Sequence, residues 1–238
     1  MSMPLLADVV PVLAHEIRAD DLILLISTCR ALRALQGLPL DLSDKCRHAA
    51  ELLRAARVHG PRFTISRLMA DRCDQWQLDS LCALPGLASV TVKSGRGVSR
   101  LPKSTSLGIL RLLSDVGASF TRLESVSSCP TLHTLVLHTV ESLSAAAGAA
   151  ALADLAAAPC LRTLELRKLR HVSDLSPLAS GTAKWQLAWL GLQGCRSVRD
   201  VSPLAKLRRL EELDLSSCPA IESVSVLGAW RPGQEGSF

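Results

Sequence analysis

An α/β solenoid is the fold class that this chain of 238 residues predicts: a curved parallel sheet, short helices or irregular segments on its convex side, and a helical cap at the N-terminus. Three observations predict it. An apolar frame spaced i, i+3, i+5 recurs down most of the chain, its starting points keep similar intervals, and the composition is aliphatic, with 48% hydrophobic residues, 3% aromatics and no tyrosine. Stacked layers of Leu, Val and Ala make a core of that kind, and a chain of stacked copies offers a surface more readily than a reaction pocket.

The N-terminal residues 1–58 lie outside the frame and repeat at helical spacing: Val9, Val12 and Leu13; Leu22, Leu25, Ile26, Cys29, Leu32 and Leu35; then Cys46, Ala49, Ala50 and Leu53. Ser43 with Asp44 predicts the start of the third helix. Residues 59–238 form the predicted repeat domain. It begins with a degenerate unit in which Phe63, Ile65 and Leu68 match the register of Leu213, Leu215 and Cys218, and Trp76, Leu78 and Leu81 form the outer segment. The polar loop from Ser94 to Thr105 follows. Its Lys103-Ser104-Thr105 is preceded by Pro102 where a phosphate loop needs glycine, so it does not predict nucleotide binding.

The frame opens at Leu87 (with Val90 and Val92), Leu107 (Leu110, Leu112), Leu132 (Leu135, Leu137), Leu161 (Leu164, Leu166), Leu187 (Leu190, Leu192) and Leu210 (Leu213, Leu215). Successive starts differ by 20, 25, 29, 26 and 23 residues. Leucine-rich repeats recur at roughly 20 to 29 residues, so the array resembles that class and predicts about six or seven units. Beyond the frame, apolar residues continue at a spacing of three: Leu169, Val172, Leu175 and Leu178; Cys195, Val198, Val201 and Leu204; Cys218, Ile221, Val224 and Leu227. Side chains three apart eclipse one another in a tight 3₁₀-like segment, so each set faces the core. Asp174-Leu175-Ser176-Pro177-Leu178 and Asp200-Val201-Ser202-Pro203-Leu204 are near copies of one turn, with proline at a first turn that needs no amide donor. The Ala-rich stretch from Ser144 to Ala158 predicts a convex-side helix and accounts for the longest interval. After Leu227 only Gly228 to Phe238 remain, too little for a substantial C-terminal cap.

The net charge of +5 is spread among interleaved acids and bases, which implies neither a nucleic-acid nor a membrane-surface role. No apolar run reaches the roughly 20 residues of a membrane span. Eight cysteines include no CxxC pair, and Cys195 and Cys218 occupy equivalent rungs, so the cysteines read as small buried side chains and not as a disulfide framework or zinc site. A reducing compartment follows, and the cytoplasm is the expected location. No cofactor or metal is implied.

Side chains alternate along a strand, so the residues between frame leucines face outward on the concave sheet. They are Arg62, Thr64 and Ser66; Ser89, Thr91 and Lys93; Arg111; Thr134, Val136 and His138; Thr163, Glu165 and Arg167; Trp189, Gly191 and Gln193; Glu212, Asp214 and Ser216. The face grades from basic to acidic. Trp189 is the predicted anchor for a protein partner, with Gln193, Glu165, Arg167, His138, Val136 and Arg111 around it and with Glu212 and Asp214 selecting a basic segment. Packing of Trp189 on Trp185 is the bland alternative. Catalysis is not predicted: Cys129 lies near His133 and His138 but precedes Pro130 as a turn residue, and His15, His48, His59 and His171 belong to no motif.

Within the helical segment, Leu6-Ala7-Asp8-Val9-Val10, Ile17, Asp21-Leu22, Leu25 and Cys29-Arg30-Ala31-Leu32-Arg33-Ala34-Leu35 resemble an F-box, whose pattern runs LPxDVL, Asp-Leu and CRxWRxL. The similarity covers about 35 residues, and its Cys-Arg end is the most specific part. Ala7 replaces the usual proline, Glu16 stands where an aromatic is common, Pro11 falls in the first helix, and Leu32 replaces tryptophan. The resemblance implies a dock for a Skp-type adaptor through Leu6, Val9, Leu22, Leu25, Cys29 and Leu32. It implies a substrate receptor of a cullin ubiquitin ligase, with the repeats as the recruiting scaffold. A structural subunit of a larger assembly is the alternative reading.

Overall fold

The computed structural model describes residues 38–50, 53–54, 57, 63–95, 97–113, 123, 126, 129–138, 145–180 and 186–228. The strands are β1 (Leu38–Arg47), β2 (Phe63–Cys73), β3 (Ser89–Gly95), β4 (Ile109–Leu112), β5 (Thr134–Leu137), β6 (Thr163–Leu166), β7 (Trp189–Gly191) and β8 (Glu212–Asp214). They form one eight-stranded sheet in sequence order, with every neighbouring pair parallel. Parallel neighbours force each connection to travel back the length of a strand. The connections carry α1 (Gln75–Cys82), α2 (Ala145–Ala156), α3 (Ser176–Ser180) and a 3₁₀ segment, Ser202–Lys206, and a second 3₁₀ segment, Ser225–Leu227, follows β8. The chain is thus α/β, a single parallel sheet with few helices, an arrangement compatible with a solenoid.

The apolar frame sets the register. Leu68, Val90, Leu110, Leu135, Leu164, Leu190 and Leu213 pair strand to strand in one column, with Ala70, Val92, Leu112, Leu137 and Leu166 in a second. The frame's first positions, Leu87, Leu107, Leu132, Leu161, Leu187 and Leu210, are each no more than 1% exposed. Fully burying one leucine contributes about 1.5–3 kcal/mol, and because the columns run through successive repeats, each rung's side chains cover those of the next.

Two of the three sets spaced by three behave as predicted, whereas in the third Cys218, Ile221 and Leu227 are only partly buried and Val224 is exposed. Leu169, Val172, Leu175 and Leu178, and likewise Cys195, Val198, Val201 and Leu204, are buried. The two Asp-x-Ser-Pro turns are superimposable in their bonding: Asp174 Oδ1 accepts from the Ser176 amide and Asp200 Oδ1 from the Ser202 amide, both at 2.8 Å. These hydrogen bonds hold both carboxyls below their ordinary range, chiefly through the Ser176 hydroxyl at Asp174 and the Ser202 amide at Asp200. The Ala-rich stretch is helical as α2, and Leu78 and Leu81 on α1 point into the core while Trp76 is 60% exposed. The polar loop is tied to α1, where Gln75 Oε1 accepts from the Ser99 amide at 3.0 Å and Asp79 pairs with Arg100 at 2.5 Å.

Two expectations are corrected. Leu38–Arg47, predicted to be helical with a helix starting at Ser43 and Asp44, is a strand, and helical residues begin at Ala49. Leu38, Leu40 and Leu42 alternate with a period of two, and Leu42 pairs with Leu68 in the core column. In β2 the register runs Ile65, Leu68, Ala70 beside Leu87, Val90, Val92, not Phe63, Ile65, Leu68 as expected, because Leu68 pairs with Val90 and Ala70 with Val92. Residues 1–37, which carry the F-box-like pattern, lie outside the described residues.

Candidate protein-binding face

With the leucine columns turned inward, the alternate residues form three rows on the opposite face. The first row is Arg67, Ser89, Ile109, Thr134, Thr163, Trp189 and Glu212, and the second is Met69, Thr91, Arg111, Val136, Glu165, Gly191 and Asp214. One step beyond the inward second column lie Asp71, Lys93, Leu113, His138, Arg167, Gln193 and Ser216. The ladder bonds carry this third row on, His138 N donating to Leu112 O at 3.0 Å and Arg167 N to Leu137 O at 2.9 Å.

Trp189, the predicted anchor, is partly exposed, and its six-membered ring lies across its own strand over Gly191. A Cβ on residue 191 would stand 2.5 Å from Trp189 Cη2 and 2.9 Å from Cζ3, well inside carbon contact distance. Glycine at that outward position therefore makes a shelf for the indole, a use of strand glycine that lets another group approach closely. Glu165 reaches the same shelf, with its Cγ 3.1 Å from that Cβ site. Trp185 lies outside the described residues.

Around the shelf the predicted polar residues meet. Glu165 Oε1 accepts from Arg167 Nε and stands 3.4 Å from His138 Nε2. On the far side Gln193 donates its side-chain amide to Asp214 Oδ2, and Asp214 Oδ1 accepts from the Ser216 amide at 2.9 Å. The Gln193 bond first, then the Ser216 amide, hold the Asp214 carboxyl below its ordinary range, so it is a fixed negative charge. Glu212, beside Trp189 in the first row, is exposed.

Not every predicted residue is available. Val136 is only 5% exposed, flanked in its row by the longer Arg111 and Glu165, so it is part of the floor and presents almost no surface. Thr64 and Ser66 belong to a different register from that expected: Arg67, Met69 and Asp71 hold the face in β2, while Thr64 packs against Gly86. Arg62 lies outside the described residues, as do Leu6, Val9, Leu22, Leu25, Cys29 and Leu32 of the predicted adaptor dock. Ile109 and Leu113 also face outward beyond the predicted set, signalled in the sequence only by alternation, and the signal for the shelf is the glycine between Trp189 and Gln193.

Cys129 and His138 are not brought together. Cys129 is 2% exposed on the core side, its thiol donating to Pro102 O at 3.2 Å, whereas His138 lies on the open face against Glu165. The cysteines instead repeat as a ladder: the Cys195 thiol reaches Leu166 O at 3.7 Å and the Cys218 thiol reaches Leu192 O at 3.0 Å, equivalent carbonyls one rung apart. Burial pushes the Cys195 and Cys73 thiols up to about 12, and raises Cys82, Cys129 and Cys218 as well, which disfavours the reactive thiolate. Among the described residues no group of three His, Cys, Asp or Glu side chains could hold a metal ion, and no helix is long and apolar enough to cross a membrane.

No protein-family model matches the chain, and comparison with curated proteins finds no match.

Proposed function

We propose that this chain is a leucine-rich repeat protein that recognises another protein, without catalysis, on the concave face around Trp189. The observation that carries the reading is the shelf. An aromatic side chain laid over Gly191 at an outward strand position, partly exposed and ringed by Glu165, Glu212 and Asp214, has the character of an interface anchor. The aliphatic columns support the repeat assignment, since they spend the Leu and Val side chains on the interior and leave the alternate rows for contact. The F-box-like segment of residues 1–35 extends the proposal: this segment docks a Skp-type adaptor, and the repeats recruit the substrate of a ubiquitin ligase.

A structural role in a larger assembly is the second reading, and one observation favours it. Burial falls abruptly from β7 to β8, the last described strand: Leu190, Cys195, Val198 and Val201 are at most 1% exposed, whereas their successors Leu213, Cys218 and Ile221 are only partly buried and Val224 is 53% exposed. Affinity purification of the full chain with mass spectrometry separates the two. Recovery of a Skp-type adaptor that is lost on replacing Leu22 and Leu25 by Asp supports the receptor; a stoichiometric complex without adaptor, unaffected by Trp189→Ala, supports the structural subunit and overturns the receptor.

A further inference from the structure

The open face is not uniformly charged along its length. On β2 to β4 it carries Arg67, Lys93 and Arg111 against Asp71, and on β6 to β8 it carries Glu165, Glu212 and Asp214 against Arg167. Internal pairs trim both ends: Arg67 meets Asp41 at 3.9 Å, and Glu165 is matched by Arg167. What remains is a cationic end at Lys93 and Arg111, which outnumber Asp71 there, a neutral middle at Thr134, Val136 and Thr163, and an anionic end at Glu212 and Asp214 with the Trp189 indole on β7 beside it. Asp214 is bonded by the neutral Gln193 amide, which fixes its position and leaves its charge in place.

The register gives this dipole a length. Arg111 and Asp214 occupy the same row on β4 and β8, four strand steps apart. Neighbouring strands are about 4.8 Å apart, so the two charges are separated by about 19 Å along the row. An extended segment rises about 3.3 Å per residue, so it covers that distance in about six residues. Six is an even number, and side chains an even number apart in an extended chain point to the same side, so both complementary groups can face the sheet at once.

We propose that the open face binds an extended segment of a partner protein bearing an acidic side chain and, about six residues away, a lysine or arginine. The acidic side chain meets Arg111 and Lys93. The cation lies at Asp214 on β8, where the carboxylates of Asp214 and Glu212 and the neighbouring Trp189 ring attract it together. The residues between them cross the neutral floor at Val136 and need no charge. This inference rests on the concave-face reading above and goes further by fixing the chemistry of the occupant.

The test is selection of a random twelve-residue display library on the full chain, followed by affinity measurement on synthesised winners. The expected winners carry an acidic and a basic residue about six apart, bind more weakly as salt rises, and lose at least tenfold in affinity on Arg111→Glu and on Lys93→Glu. Selection on Arg111→Glu should turn towards uniformly basic peptides. Winners that are uniformly charged or apolar, yet weakened by Trp189→Ala, overturn the charge-paired occupant and leave the concave-face reading standing. Winners indifferent to Trp189→Ala, Arg111→Glu and Lys93→Glu alike, or no winners at all from a chain whose partner in affinity purification is also indifferent to Trp189→Ala, overturn both.

Discussion

Replacing Gly191 by alanine separates the stability of the fold from the order of its face. The added methyl would sit 2.5 Å from Trp189 Cη2, 2.9 Å from Cζ3 and 3.1 Å from Glu165 Cγ. Carbon atoms rest at about 3.5–4.0 Å, so the ring has to retreat by about 1 Å or swing off the strand. The two ring atoms are the far end of the Trp189 side chain and Glu165 Cγ lies midway along its own, all on the open face, so they can move without disturbing Leu190 or Leu192 beneath. Alanine also recovers about 0.5–1 kcal/mol of backbone entropy that glycine loses in a strand. The net change in unfolding free energy by urea titration is therefore expected within about 1 kcal/mol of zero. The Trp189 emission should change, isolated as the difference from Trp189→Phe, and partner affinity should fall about five- to thirtyfold, the equivalent of about 1–2 kcal/mol. A loss of stability above about 3 kcal/mol, or unchanged Trp189 emission, would refute the shelf.

Leu164→Ala removes a side chain that is 0% exposed between Leu135 and Leu190, and should cost about 2–5 kcal/mol in urea titration, against less than about 0.5 kcal/mol for Thr163→Ala on the open face. Equal costs at the two neighbours would contradict the alternation. Buried thiols with raised values bind their protons more tightly folded than unfolded, so their stabilisation is complete below about pH 9 and fades above it as the unfolded thiols ionise. At pH 10 the loss is on the order of 1 kcal/mol for each of Cys73 and Cys195, and a Cys195→Ala variant should show a shallower alkaline decline in Tm. The carboxyls of Asp174 and Asp200 shift the other way: their contribution is present above the ordinary carboxylate value and is lost as pH falls below it. Asp200→Asn should blunt the acid decline, and a steeper decline would contradict the turn bonding.

How far the sequence carries the fold depends on how sharply each rung is marked. From Leu87 onward the frame is filled by Leu and Val, and the strands fall where it predicts. Ala70 is a weak third member, and Phe63 and Ile65 form a competing pair of strong apolar residues, so spacing alone favours a register for β2 that the strand does not adopt. In β1 the alternation of Leu38, Leu40 and Leu42 is brief, and the helical spacing from Cys46 to Leu53 overrode it. The face was legible as a list of outward positions but not as a surface. Burial of Val136 and the pose of Trp189 depend on the heights of neighbours in adjacent strands, which distances along the chain do not encode.

The most direct measurement is carboxyl footprinting of the full chain, free and bound to the partner recovered by affinity purification. Glu212 and Asp214 should lose reactivity on binding while Asp174 and Asp200, on the turns away from the open face, keep theirs. Protection of Asp174 and Asp200 with Glu212 and Asp214 unchanged would place the partner elsewhere and contradict recognition on this face.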